Sequence, residues 1–332
     1  MTPREIIKAN IEFAGADRIG LNFNNEPDRI SDFTGAGCDH GIEIKEWEEG
    51  PMEYYTDIWG NVWHRMKGRS KGGEVCTPII PDWKDLDSLE LPDLDNPAYF
   101  ENARKLGASD TDLFKVGWML GWPFATCRYM RTMEVYFTDL VLERERLDIL
   151  HDRVTTLLEG VIEQYGKAGM DAVMYCEDLG VQDRLLIGPE MWRDIFRPLY
   201  ERLTGKAHEY GMKVIMHSCG YNWDIIDDLC LAGVDCLQFD QPTIYDMPAL
   251  AEKLKKHGVG LFSPCDIQQV LPTADKDLIR KETKRLVETF RGGFIAKDYT
   301  DLNGIGVDIE SDRTAYRTFV ETGAPELAGA VK

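Results

Sequence analysis

No run of 18 apolar residues occurs in this chain, and its opening stretch, Met1-Thr-Pro-Arg-Glu-Ile-Ile-Lys8, carries no apolar secretory core. Neither a membrane-spanning helix nor a leader peptide is therefore expected, and the protein reads as soluble and cytoplasmic. Positive charge is scarce as well. Lys and Arg number 38 against 58 Asp and Glu, a formal net charge of -20, which would repel nucleic acid and anionic membrane alike. A glycine-rich phosphate fingerprint of the G-x-G-x-x-G kind follows none of the expected strands, which argues against a doubly wound nucleotide-binding sheet. The eight cysteines (Cys38, Cys76, Cys127, Cys176, Cys219, Cys230, Cys236 and Cys265) lack the close spacing of a disulfide scaffold. They are expected as reduced thiols, any special ones serving metal or redox chemistry.

What is present is globular. Hydrophobic residues make up 43% of 332 and charged ones 29%, enough for one large α/β barrel or two ordinary domains. Thr2 and Pro3 begin a helix, and an aromatic stretch from Ile42 to His64 predicts a β-hairpin that turns at Gly60-Asn61. A proline-rich connection spans 78 to 97 and leads to a helix near 98 to 106. From 111 onward apolar strands alternate with helices: strands at 113–119, 171–176, 213–216, 233–239, 259–262 and 293–296, and helices at 134–165, 189–210, 224–232, 247–257, 275–290 and 312–322. Buried parallel strands joined by crossover helices are the expected outcome. The predicted architecture is a (β/α)8 barrel with an N-terminal extension containing a β-hairpin. Residues 1–110 form the extension packed on the barrel and 111–332 its main part, in a single domain. In such a barrel the loops after the strands meet at one mouth, bringing together Trp122, Glu177, Asp178, His217, Cys219, Gln238, Asp240, Cys265, Asp266, Lys297 and Asp298.

The stretch Lys213-Val-Ile-Met-His-Ser-Cys-Gly220 ends a buried strand. Residues two apart on a strand share a face, so His217 and Cys219 can aim a nitrogen and a sulfur at one point, as zinc requires. Taken alone the pair is more simply a strand-end His beside an inert core Cys. A catalytic zinc usually keeps three protein ligands. Cys265 is the first candidate for the third by softness, Glu177 the second and Asp298 the third; their structural alternatives are a small buried hydrophobe for Cys265, and helix-capping or substrate-binding carboxylates for the other two. Glu177 or Asp178 would serve as general base in a hydrolytic site, and Glu177 or Asp240 would handle protons in a decarboxylation. The segment from Phe114 to Tyr136 is rich in rings, most of them suited to core packing. Trp118, Trp122 and Tyr129 are the candidates for the wall of an apolar substrate pocket, and Arg128 and Arg131 would pair with a substrate anion or with the acidic helix that follows.

Several pieces of the chain together resemble the uroporphyrinogen decarboxylase superfamily, and within it the cobalamin-dependent methyltransferase branch. They are Thr56-Asp-Ile-Trp-Gly-Asn-Val-Trp63, Glu177-Asp-Leu-Gly180, Gly188-Pro-Glu-Met-Trp-Arg-Asp-Ile-Phe-Arg-Pro198, His217-Ser-Cys-Gly220, Ala232-Gly-Val-Asp235 and Gly292-Gly-Phe-Ile295. The resemblance implies a (β/α)8 barrel. It further implies a zinc held by a His-x-Cys pair, matched by His217 and Cys219, with a later Cys, and methyl transfer to or from the cobalamin of a separate corrinoid protein. Where that later Cys is expected this chain has Ala296-Lys-Asp-Tyr-Thr300, so Cys265, Glu177 or Asp298 must complete the set. The arginine-rich loop of the true decarboxylases is reduced to Arg18 in Asp17-Arg-Ile-Gly-Leu-Asn-Phe23.

The expected function is accordingly zinc-dependent methyl transfer between a small methylated substrate, an aryl methyl ether undergoing O-demethylation, and a corrinoid protein. The alternatives are decarboxylation of a small carboxylate and a non-catalytic binding homologue. A homodimer is one assembly open to the chain.

Overall fold

The computed structural model describes residues 1–68 and 72–330, so the expected C-terminal boundary at residue 332 lies outside the described residues. Twelve strands are found there. Eight form one sheet: β1 (Gly20–Asn22), β2 (Phe33–Ala36), β7 (Phe114–Trp118), β8 (Ala172–Cys176), β9 (Lys213–His217), β10 (Cys236–Gln238), β11 (Gly260–Ser263) and β12 (Phe294–Lys297). Every ladder in it is parallel, in the order β1-β12-β11-β10-β9-β8-β7-β2. The remaining four, β3 (Glu46–Glu49), β4 (Met52–Thr56), β5 (Val62–Met66) and β6 (Glu74–Thr77), make a small antiparallel sheet. The helices are α1 (Pro3–Ile11), α2 (Glu101–Gly107), α3 (Pro123–Arg131), α4 (Met133–Leu142), α5 (Arg144–Ala168), α6 (Pro189–Ile195), α7 (Arg197–Glu209), α8 (Ile226–Leu231), α9 (Met247–His257), α10 (Lys276–Thr289) and α11 (Ile309–Gly323). None is long and apolar enough to cross a membrane.

The eight-stranded sheet curls into the expected (β/α)8 barrel. Its two end strands meet through Asp32, whose N–H donates to Leu21 O at 2.8 Å while its carboxylate accepts from Leu21 N at 2.8 Å. The same carboxylate takes both arms of Arg18, at 2.7 and 2.6 Å. A two-toothed ion pair buried at the seam fixes the register there. Two barrel strands, β1 and β2, thus come from the segment before residue 111.

Strand composition follows from burial on both faces. Val214, Ile215 and Met216 of β9 are all fully buried, Ile215 toward the barrel axis and its neighbours toward the helices. The axis is filled by Phe33, stacked on Phe262 at 5.4 Å and set edge-on to Phe114 at 5.5 Å. Below these, α1 closes the bottom of the barrel with Ile7 and Ile11. Thr2 caps α1 with a reciprocal Glu5 box, and Pro3 sits at its first turn. With the bottom plugged, access is from the carboxyl ends of the strands.

Two expected helices are divided. The span 134–165 breaks at Glu143 between α4 and α5, and 189–210 breaks at Phe196, where Pro198 cannot supply the N–H that a continuous helix needs. The hairpin turn is also longer than a Gly60-Asn61 pair. Residues 57–61 form the loop between β4 and β5, with Gly60 at φ +94°. Its organiser is the Asp57 carboxylate, which accepts from Trp59 N, Asn61 N, Asn61 Nδ2 and Trp63 Nε1.

Candidate functional site

His217 is the last residue of β9 and points into the barrel mouth. Its Nδ1 lies 2.6 Å from Gln238 Oε1 on the neighbouring strand β10. Gln238 in turn donates from Nε2 to Asp240 Oδ1 at 2.6 Å, which leaves its carbonyl oxygen to accept. The network therefore assigns the proton to His217 Nδ1 and leaves Nε2 with a lone pair. That lone pair faces Cys219 Sγ at 3.5 Å and Asp178 Oδ1 at 3.6 Å. The three ligand atoms of Asp178, His217 and Cys219 all lie within 4.8 Å of one another.

Backbone contacts hold this triangle. Asp178 Oδ1 accepts from Cys219 N at 2.8 Å, which ties the loop after β8 to the loop after β9. Asn222 Nδ2 donates to Ser218 Oγ and to the carbonyls of Cys219 and Gly220, and Tyr245 Oη donates to Gly220 O. Gly220 has φ +79°, and a Cβ there would come within 2.3 Å of Gly180 C and O. Only glycine fits so close an approach in that conformation.

The electrostatics suit a cation. Burial first, then the Asp178 and Asp240 carboxylates, push the Cys219 thiol well above its usual range. An ion between these groups would reverse that order, since a coordinated thiol gives up its proton. Asp240 is buried behind His217 and also takes Lys297 Nζ at 3.1 Å. The donor set of one imidazole, one sulfur and one carboxylate, with a glutamine and a carboxylate behind the imidazole, fits zinc.

Beside the triangle lies a cavity of about 510 Å³ between the mouth and the small sheet. Tyr55 and Trp63 of the sheet, Trp59 of its turn, and Trp118 and Tyr129 of the barrel line it. Tyr55 and Trp63, cross-strand partners, stack at 5.9 Å, and Trp63 meets Tyr129 edge-on at 4.6 Å. At the barrel end the lining includes Cys176, the register partner of His217. Cys176 reaches solvent through the cavity but is hemmed in by protein, and this loss of hydration, with Asp178 and Asp240 nearby, pushes its thiol up to about 11.

Several expected site residues are elsewhere. Cys265 is buried against Thr283 of α10, its thiol pushed up to about 12 by burial, and does not join the triangle. Glu177 turns away from the mouth: it accepts from Ala125 N at 2.9 Å and from Tyr200 Oη, joining β8 to α3 and α7. Alternation explains this, because residues 176 and 178 face the mouth and 177 must face the helices. Burial raises its carboxyl to about 7, Tyr200 and Ala125 N opposing the rise. Asp298 accepts from Asn24 N and Asn25 N, each at 2.7 Å, and so pins the loop after β1 rather than lining the cavity. Trp122 is fully buried, stacked on Tyr175 at 3.7 Å, and is not a cavity wall. Trp118 and Tyr129 do line the cavity, and Asp240 stands one residue behind His217. The sequence does not single out Asp178 for the third corner of the triangle or Gln238 for the place behind His217; counting by twos from Cys176 reaches the first.

The profile of the uroporphyrinogen decarboxylase (URO-D) family matches residues 66–322, more than three quarters of the chain. No curated protein sequence matches. Among solved structures, a methyltransferase from Methanosarcina mazei is similar over 80% of this chain and 76% of its own, with TM-score 0.61 and 18% identity. Two further structures align at low scores. They are a 2,3-dimethylmalate lyase (TM-score 0.33, 10% identity, 68% of this chain and 62% of that one) and the zinc-bearing IOLI protein (0.34, 16%, 52% and 69%). The Methanosarcina likeness bears on the fold alone. With the parallel barrel, its plugged bottom and the family match over most of its length, the chain belongs to the uroporphyrinogen decarboxylase family.

Proposed function

We propose that this protein is a zinc-dependent methyltransferase that moves a methyl group between a small methylated substrate, an aryl methyl ether, and the cobalamin of a separate corrinoid protein. The observation that carries the reading is the triangle of His217 Nε2, Cys219 Sγ and Asp178 Oδ1 at the barrel mouth, next to an aromatic cavity. Asp178, His217 and Cys219 would hold the ion. When bound, zinc supplies a Lewis acid that stabilises negative charge developing on the heteroatom that loses its methyl group. Gln238 and Asp240 keep the imidazole in one tautomer and orientation, and Lys297 balances the charge of Asp240. The aromatic wall offers a flat ring a stacking surface beside the mouth. The barrel that carries these groups is the fold shared with a methyltransferase from Methanosarcina mazei.

The test is metal analysis of the purified protein together with methyl transfer to a reduced corrinoid protein. His217→Ala and Cys219→Ala should each lose both zinc and transfer while circular dichroism is unchanged. A metal-free preparation that still transfers methyl groups would remove zinc from the mechanism. Carbon dioxide release from a small carboxylate, without corrinoid, would replace methyl transfer with decarboxylation.

A further inference from the structure

The charge of the substrate is legible in the walls of the cavity. Among the described residues no Lys, Arg or His lines it, and the lining includes one carboxylate, Asp57. That carboxylate is already occupied by hydrogen bonds from Trp59 N, Asn61 N, Asn61 Nδ2 and Trp63 Nε1. It repels an anion and has its acceptor sites turned to its own loop. A carboxylate-bearing ring would therefore be stripped of water with no counter-charge in return, a costly exchange in an apolar site.

A cation fares little better, because two of the wall rings already serve one. The Arg65 guanidinium lies 5.4 Å from the Tyr55 ring centre and is paired with Glu53 at 2.7 Å. The Arg128 guanidinium lies 5.0 Å from the Tyr129 ring centre and donates to Tyr129 Oη at 3.2 Å. Neither arginine lines the cavity. A guanidinium already over a ring draws on the quadrupole that a second cation would need. Rings polarised in this way stack best on an electron-rich, uncharged partner.

We propose that the cavity selects an uncharged, electron-rich methoxyarene and discriminates against both methoxybenzoates and aryl ammonium ions. The inference rests on the cavity being the donor site of the proposed methyl transfer, and it names the donor's charge class. The experiment is calorimetric titration of the full chain at neutral pH with methoxybenzene, para-methoxybenzoate and a trimethylphenylammonium salt. Methoxybenzene should bind about tenfold or more tightly than either ion, by the cost of burying an unpaired charge. Trp118→Ala and Tyr129→Leu should each weaken its binding several-fold with circular dichroism unchanged. Equal or tighter binding of either ion, no binding of methoxybenzene, or wild-type affinity in both variants would each overturn the proposal. Binding needs neither corrinoid nor turnover. Loss of the methyl-transfer reading would therefore show as selective binding without transfer, whereas loss of this one would show as reversed selectivity whether or not transfer occurs.

Discussion

His217 donates a hydrogen bond from Nδ1–H to Gln238 Oε1 across 2.6 Å, and through that bond the identity of one β10 side chain decides which imidazole nitrogen faces Cys219 and Asp178. Replacing Gln238 by Leu removes the acceptor while keeping bulk. Zinc affinity should fall about 10- to 100-fold, the usual effect of losing the group behind a ligating histidine. Competition against a chelator of known affinity measures it; an unchanged dissociation constant would show that Gln238 has no part in orienting His217.

Asp178 is the carboxylate corner of the triangle, and its side chain is half exposed. Asp178→Ala should therefore leave the melting temperature within a degree or two but lower zinc affinity by about tenfold or more, since one of the three proposed ligands is gone. The opposite pattern, full zinc affinity with a lowered melting temperature, would make Asp178 a loop tether to Cys219 N and nothing more.

Gly220→Ala sets a side chain in the left-handed region against the Gly180 backbone at 2.3 Å. The strain and the displaced loop should cost about 2–4 kcal/mol of stability. Urea denaturation reads this directly. Zinc binding should weaken in the same variant, because Cys219 and Asp178 lie on the two loops forced apart.

Glu177 supplies a pH test. Burial raises its carboxyl from 4.5 to about 7, so between those values the folded protein holds a proton that the unfolded chain has released. Its contribution to stability is complete below about 4.5 and is lost as the pH climbs through 7, a change on the order of 3 kcal/mol. Glu177→Gln should flatten this part of the pH dependence between pH 5 and 8, as measured by denaturant midpoints. An identical slope in the variant would assign it to other groups.

Much of the architecture was readable from local pattern alone. Apolar runs such as Val214-Ile215-Met216 can satisfy both faces only inside a covered parallel sheet, and the helices between them set the alternation. Thr2 and Pro3 mark the start of α1, and the period of a strand places His217 and Cys219 on one side. Such signals act over a few residues, and so they survive without knowledge of the fold.

What the linear chain could not reveal was which distant groups meet. Softness favours Cys265 and a place after a strand favours Trp122, but each is claimed by a neighbour invisible in sequence, Thr283 in one case and Tyr175 in the other. Asp178 reaches His217 and Cys219 because Gly180 and Gly220 let two loops touch, and Tyr55 and Trp63 are cavity walls because the small sheet lies across the mouth. Local pattern determined the strands, the helices and the His-x-Cys corner of the site. Tertiary structure alone decided the third corner of the triangle, the proton on His217 and the rings around the cavity, because those depend on contacts between residues tens to more than a hundred positions apart.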